Sequence, residues 1–282
     1  MTHRIQLILM RAERPMNALV RAGAAVALLV LGVATSPVCA DAPPAAGPAA
    51  GATPKSPAPG AAGARLDAVR AWAEVLARRV GADGLVDYRG LARDDRATLD
   101  AYLARVAEAK PPAARAEALA FYADAYNALV IRSVIRAGFP RSVLDERGFF
   151  DETTHVVGGR TLTLDALEKE VIRPLGNPLH HFILVCGAVG CPALEPRTLV
   201  GSDVEARAEA AARRYLSTAH GARRAAPAIQ LSRIFEWYAA DFGGPAGVRA
   251  WVRPRLPAVL AAELRPDTPL LSLDYNWTLN QR

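Results

Sequence analysis

From residue 66 onward the apolar positions fall into a helical rhythm. Leu66, Val69, Trp72, Leu76 and Val80 recur at steps of three and four, which predicts an amphipathic helix. Leu99, Tyr102, Leu103 and Val106 predict a second. Residues 113–137 predict a long third helix, stopped by Gly138 and Pro140. Its centre, "FYADAYNALVI", is apolar on almost every face and so belongs inside the core. "GADGLVDYRGL" (81–91) reads as a glycine-punctuated turn with a short extended piece. "THVVGGRTLTL" (154–164) alternates and turns at Gly158 and Gly159, a hairpin pattern. Asp165 is expected to cap a short helix to Arg173, ended by Pro174. "HFILVC" (181–186) is a continuous apolar run, which predicts a strand buried on both faces. In a strand, His180 and His181 would point to opposite faces. Ser202 and Glu205 predict a capping box for a helix to about Leu216. "AIQLS" reads as a strand, Ser232 as the cap of "RIFEWYAADF", and "LLSLDYNW" as a final strand after a helix broken by Pro254 and Pro257. About seven helices and four or five short strands, in runs rather than alternation, predict an α+β fold. It is helix-rich, with a small, mostly antiparallel sheet.

Before residue 65 the rhythm is missing. In residues 41–64, twenty of twenty-four positions are Ala, Pro or Gly. Such a stretch has no apolar face whose burial would offset ordering, so a disordered linker is expected. Residues 1–40 read as a signal peptide. Arg11, Arg14 and Arg21 precede a thirteen-residue apolar run at 22–34, too short for a comfortable membrane span. Val38 and Ala40 are small enough for the pockets of a signal peptidase, and Met16 is a second candidate start. Cys39 lacks the small-residue context of a lipoprotein cysteine. The expected organisation is a signal peptide at 1–40, a linker at 41–64 and a single domain at 65–282. The mature chain would be periplasmic or secreted, with no stable membrane insertion after the signal is removed.

The 282 residues carry a net charge of +6 and only three cysteines. Four arginines against one glutamate in the first forty positions supply half of that charge. No basic run is interleaved with aromatics, so nucleic-acid binding has no support. No phosphate-binding loop, dinucleotide glycine fingerprint or HExxH helix is found, and no cofactor is expected.

The chemistry concentrates in "HHFILVCGAVGCPAL" (180–194). Cys191 precedes a proline, the residue favoured at the first position of a helix. A helix there would stabilise the thiolate; the bland alternative is a buried cysteine at a tight turn. Cys186 reads as a core cysteine or as a disulfide partner of Cys191, if the two Cα atoms approach to roughly 6 Å. His181 sits close enough in sequence to meet Cys191 at the exit of the strand. Glu168 either orients that ring or caps the helix begun at Asp165. Asn127 lies mid-helix among apolar neighbours, where its amide must find partners. Those partners are a nearby loop, or a polar site shared with Asp124. His181, Cys186 and Cys191 match no common zinc spacing, so no metal is expected.

Five stretches, "FYADAYNALVI", "LDALEKEVIR", "HFILVCGAVGCPAL", "IFEWYAADF" and "LDYNWTLN", with "GLVDYRGL" ahead of them, occur in an ordered set. That set resembles the bacterial exported branch of the domain-of-unknown-function family 547, over roughly residues 65–282. Asn127, Glu168, Arg173, His181, Cys186 and Cys191 match the family's motifs. Tyr122 and Asp124 depart, the family having asparagine at 124. The resemblance suggests a papain-like or transglutaminase-like thiol site. The resulting expectation is a thiol-dependent amidase, peptidase or transamidase acting on a small-molecule or peptide substrate. Cys191 would be the nucleophile and Cys186 its fallback. His181 would exchange the proton, Glu168 would orient the ring, and the N–H groups of the 187–191 turn would form an oxyanion hole. Asp124, if it faces His181, would favour the imidazolium. The rival is a non-enzymatic periplasmic binding or interaction module stapled by a Cys186–Cys191 disulfide. A redox module is third, since C-x4-C is wider than the usual C-x-x-C.

Overall fold

The computed structural model describes residues 59–175 and 177–282. The expected signal peptide and most of the expected linker lie outside them. Helix α1 (Pro59–Arg79) takes in the last six residues of the expected linker, 59–64. Proline at a first helical position has no N–H to satisfy, and the alanines that follow favour the helix. Trp72, Val75 and Leu76 are buried, whereas Val69 stays 38% exposed, off the packed stripe. Trp72 stacks on Tyr102 of α2 (Arg96–Glu108) with ring centroids 5.6 Å apart. Between the two helices Arg79 donates to Asp87, Asp94 and Asp95 at 2.9, 2.7 and 2.6 Å, closing the intervening turn.

Helix α3 (Arg115–Arg136) is the buried centre, as its all-round apolar pattern predicts. It is long and apolar enough to cross a membrane, but 78% of that apolar window is buried inside the fold. It stops at Gly138, whose φ of 73° closes the last turn with Phe139 N–H on the Val134 carbonyl at 3.1 Å. Strands β1 (Thr154–Val157) and β2 (Arg160–Thr163) form the predicted hairpin, with Val157 opposite Arg160 across the two glycines. The segment after it is not capped by Asp165. Thr163 caps it, its hydroxyl accepting from Ala166 N–H at 3.1 Å, and Asp165 pairs instead with Lys169. A wide π turn then carries Leu167–Ile172.

"HFILVC" is not a strand. Pro178–Phe182 is a 3-10 turn, and residues 183–186 are irregular, with all but Cys186 buried. The reason is Asn127. Its amide N–H donates to the Ile183 carbonyl at 2.8 Å, and its oxygen accepts from Val185 N–H at 2.9 Å. One side chain from α3 satisfies the backbone groups that a neighbouring strand would otherwise take.

Helix α4 (Val204–Leu216) starts after Asp203, and the Ser202–Glu205 box does not form. Strand β3 (Ala222–Ala225) was not expected. It pairs antiparallel with β4 (Ala228–Leu231), the predicted "AIQLS" strand. Helices α5 (Gly244–Val252) and α6 (Ala258–Glu263) follow. Only Leu270–Ser272 of "LLSLDYNW" forms a strand, β5, parallel to β4. Among the described residues, helices with two small sheets, one purely antiparallel and one mixed, make the fold α+β.

The segment 276–282 ties distant parts together. Val86 N–H donates to the Asn280 carbonyl at 2.9 Å, and Leu279 N–H to the Arg141 carbonyl at 2.9 Å. Val189 and Gly190 donate to the Thr278 and Asn276 carbonyls, both at 2.8 Å. Buried Tyr88 donates its hydroxyl to the Asn280 side chain at 2.7 Å.

Candidate functional site

Two polar clusters meet near the C-x4-C stretch. The first is built on the 3-10 turn at 178–182. Asn177 caps it, accepting from Leu179 N–H at 3.0 Å. His180 and His181 do not face opposite ways; their rings lie 4.0 Å apart. His180 Nδ1 donates to the Asn177 carbonyl at 2.5 Å, which leaves Nε2 with the lone pair and no partner among the described residues. Burial, then the neighbouring His181, lowers the His180 pKa to about 3, so this ring is neutral at pH 7.

The His181 ring is 3% exposed and packs against His180 on one side and Tyr238, 4.0 Å away, on another. Its Nε2 meets Asp241 Oδ2 at 2.8 Å, and its Nδ1 lies 4.0 Å from Glu168 Oε1. Arg173 grips the same Asp241 from outside through Nη2 and Nε, at 2.6 and 3.1 Å. Burial pushes the Asp241 carboxyl up, but His181 and Arg173 outweigh it and hold the group well below the usual carboxylate range. His180, His181 and Asp241 offer three metal-ligating atoms within 4.8 Å of one another. The Arg173 guanidinium on the same carboxylate opposes a cation there, and the cluster reads better as a closed charge network.

The second cluster holds the sulfurs. Cys186 and Cys191 form a disulfide with a Cα–Cα distance of 6.3 Å, inside the range such bonds require. No helix begins at Cys191; residues 191–203 are irregular or turn, so no helix dipole acts on its sulfur. The donors come from elsewhere. Cys186 N–H points at Cys191 Sγ, 2.9 Å away, and the Tyr275 hydroxyl lies 3.2 Å from Cys191 Sγ and 3.4 Å from Cys186 Sγ. Gly187 opens the loop at φ 77°, a left-handed conformation that glycine adopts without strain. Tyr215 anchors the far side of the loop, donating to the Gly190 carbonyl at 2.7 Å. Both cysteines are half-buried. The half-buried rings of Trp237, Tyr275 and Trp277 pack at centroid distances of 4.7 to 5.8 Å and form an aromatic wall around Tyr275.

Glu168 stands between the clusters. It is not a cap. Burial first, and the Glu168 charge after it, pushes the phenols of Tyr126 and Tyr238 well above 10. Tyr275 is raised likewise by burial, with Tyr215, Tyr126 and Glu168 adding to it. All three phenols therefore keep their protons at neutral pH.

Of the residues singled out in the sequence, Cys186 and Cys191 come together with each other. His181 and Glu168 approach one another, and Asn127 holds the backbone between the two groups. Among the described residues, no hydrogen bond or ion pair joins His181 to either sulfur. Asp124 does not face His181. Both its oxygens take the Leu199 N–H, at 2.9 and 3.1 Å, and burial pushes its carboxyl up to about 8. Sequence reasoning selected neither Tyr275 nor Asp241. Both lie in stretches that carried the resemblance, "LDYNW" and "IFEWYAADF", where Asp241 is one of two acids, with Glu236, in a largely aromatic run.

Residues 112–216 match the model of a family described as protein of unknown function, DUF547. The matched stretch contains Asn127, Glu168, His181 and both cysteines, and leaves Tyr238, Asp241 and Tyr275 outside. No curated protein and no solved structure matches the chain. The papain-like or transglutaminase-like expectation therefore rests on the resemblance alone.

Proposed function

We propose that this protein works through Cys186 and Cys191 as a thiol–disulfide centre, with Cys191 as the sulfur that carries negative charge when the bond opens. The observation that carries this reading is the pair of donors at Cys191 Sγ, the Cys186 N–H at 2.9 Å and the Tyr275 hydroxyl at 3.2 Å. Hydrogen bonds to an ionised sulfur are stronger than to a neutral one, so both donors lower the thiol pKa and improve it as a leaving group. A thiolate of an external dithiol attacks Cys186 Sγ. The Cys186–Cys191 bond breaks, Cys191 leaves as a thiolate, and a mixed disulfide forms. The second thiol of the partner then attacks its own sulfur in that mixed disulfide, releasing Cys186 and leaving the partner oxidised. The signal-like N-terminus supports this reading, because disulfides persist in exported proteins. The aromatic wall beside Tyr275 fits a peptide or small molecule with an apolar group.

An amidase, peptidase or transamidase would use the same Cys191 thiolate after reduction. Tyr275 would then replace His181 as the proton partner, since the imidazole is enclosed by Asp241, His180 and Tyr238. A second reading is favoured by the anchoring of the loop to Asn276, Thr278 and Tyr215. There the bond is only a staple in a binding module, and a loop this short would contribute about 2 kcal/mol.

Alkylation with iodoacetamide at pH 6, followed by mass spectrometry, separates these readings. No adduct is expected before reduction. After reduction Cys191 is expected to react ahead of Cys186, and Tyr275→Phe should slow its labelling about tenfold while the fold persists. Equal labelling of both reduced cysteines, with an apparent pKa of roughly 8.5 and no effect of Tyr275→Phe, would leave only the staple.

A further inference from the structure

A second site lies on the other side of α3, where α2 and the β1–β2 hairpin meet it. A cleft of about 420 Å³ opens there, and Arg132 of α3 and His155 of β1 both line it. Arg132 is half-buried and forms no ion pair with a carboxylate among the described residues; its hydrogen bond is from Nη2 to His155 Nδ1, at 3.1 Å. A guanidinium can only donate, so Nδ1 carries the lone pair and the proton of the neutral ring sits on Nε2. That Nε2–H and the Arg132 Nε–H are both buried and both lack an acceptor among the described residues. His155 is 3% exposed. Burial, followed by Arg132 and Arg136, lowers its pKa to about 4, which agrees with a neutral ring acting as donor.

Two orphaned donors at one cleft are uncommon, because a buried N–H without a partner gives up its hydrogen bond to water and gains none in return. The charge around them has one sign in excess. Arg96 and Arg136 act on Arg132 in addition to its own charge, and Asp100, the acid at the cleft, is already bonded to Arg96 at 3.1 Å. The remaining wall carries Thr154 and Thr161 beside the apolar Leu103, Leu129 and the exposed Val156. We infer that this cleft binds a carboxylate carried on a short apolar body. The carboxylate would take the Arg132 Nε–H, with a small side-chain shift uncovering it, and the apolar body would lie against Leu103 and Val156. One uncompensated guanidinium and a neutral imidazole suit a single negative charge better than a dianion. This site shares no residue with the sulfur cluster and stands whether or not that cluster is redox-active.

The test is a titration of the purified protein at pH 7 with hexanoate, with hexanamide as the neutral isostere, and with inorganic phosphate. It is followed by calorimetry and by the Arg132 Nε–H resonance in nitrogen-15 spectra. Hexanoate is expected to saturate and to move that resonance, hexanamide to bind at least about tenfold more weakly, and phosphate to bind more weakly than hexanoate. Arg132→Gln should abolish the hexanoate response. Equal binding of hexanoate and hexanamide would overturn the inference, as would tighter binding of phosphate or a resonance that hexanoate leaves in place. These arms use the unaltered protein, so they decide the matter even if Arg132→Gln fails to fold.

Discussion

Replacing Asp124 by asparagine exchanges a titrating buried group for a neutral one of the same shape. In the folded chain the carboxyl has one N–H donor, from Leu199, shared by its two oxygens, and burial raises its pKa to about 8. In the unfolded chain the pKa is near 3.9. Between those values the native state binds a proton that the unfolded state has lost. The stability due to this group is therefore complete below about pH 4 and is lost as pH rises toward 8, at about 1.4 kcal/mol per pH unit. From pH 5 to pH 7 that amounts to about 3 kcal/mol. The asparagine variant keeps an acceptor for Leu199 N–H and does not titrate. It carries a pH-independent penalty of about 1 kcal/mol for an amide N–H₂ without a partner. Urea denaturation of both proteins at pH 5, 6, 7 and 8, with the disulfide intact, gives the difference curve. Other ionisable groups titrate in both and cancel. The variant should lie within about 1 kcal/mol of wild type at pH 5 and be the more stable protein, by about 3 kcal/mol, at pH 7. A difference that stays level from pH 5 to pH 8 would show a carboxylate already ionised at pH 5, held by the field of Arg207, and would refute the reasoning. A difference of the opposite slope would do so more strongly.

Two other substitutions probe the framework. Asn127→Ala leaves the Ile183 carbonyl and the Val185 N–H buried without partners, and should lower unfolding free energy in urea by about 2–4 kcal/mol; a loss below about 1 kcal/mol would mean that the 183–186 segment does not depend on this clamp. Asp241→Asn removes the charge shared by His181 and Arg173, and should destabilise by about 3 kcal/mol at pH 7. Because the folded pKa of Asp241 is depressed, the gap between wild type and variant should be complete above about pH 4 and shrink as pH falls from there toward the folded value, which thermal melts from pH 2.5 to 7 would follow.

The parts of the fold that could be read in the sequence are those set by local periodicity. Helices α1 to α3 and the β1–β2 hairpin follow from apolar spacing and from the Gly158–Gly159 pair. "HFILVC" misled because an unbroken apolar run says only that a segment is buried. It does not say what satisfies its backbone, and here the answer is a side chain 56 residues earlier. The site divides in the same way. The two cysteines, five residues apart, are visible as a pair. Asp241 lies 60 residues from His181, and Tyr275 lies 84 from Cys191, so neither contact leaves a mark in spacing. The stop expected for the linker failed for a simpler reason, since an alanine-rich stretch that begins with proline is compositionally both a poor core and a good helix.

The anchoring of 276–282 has a consequence in time. During synthesis Cys186 and Cys191 emerge far ahead of the segment that will hold their loop. Two thiols five residues apart meet within the nanoseconds of a short loop closure, whereas Tyr275 must arrive across a span of 84 residues. Contacts of such long range form late. The two thiols can thus meet on an exposed turn before Tyr275 is in place, while the bond itself, formed over seconds to hours, waits on an oxidant. Tyr275 reaches the sulfurs only when 276–282 fastens to residues 86, 141 and 189.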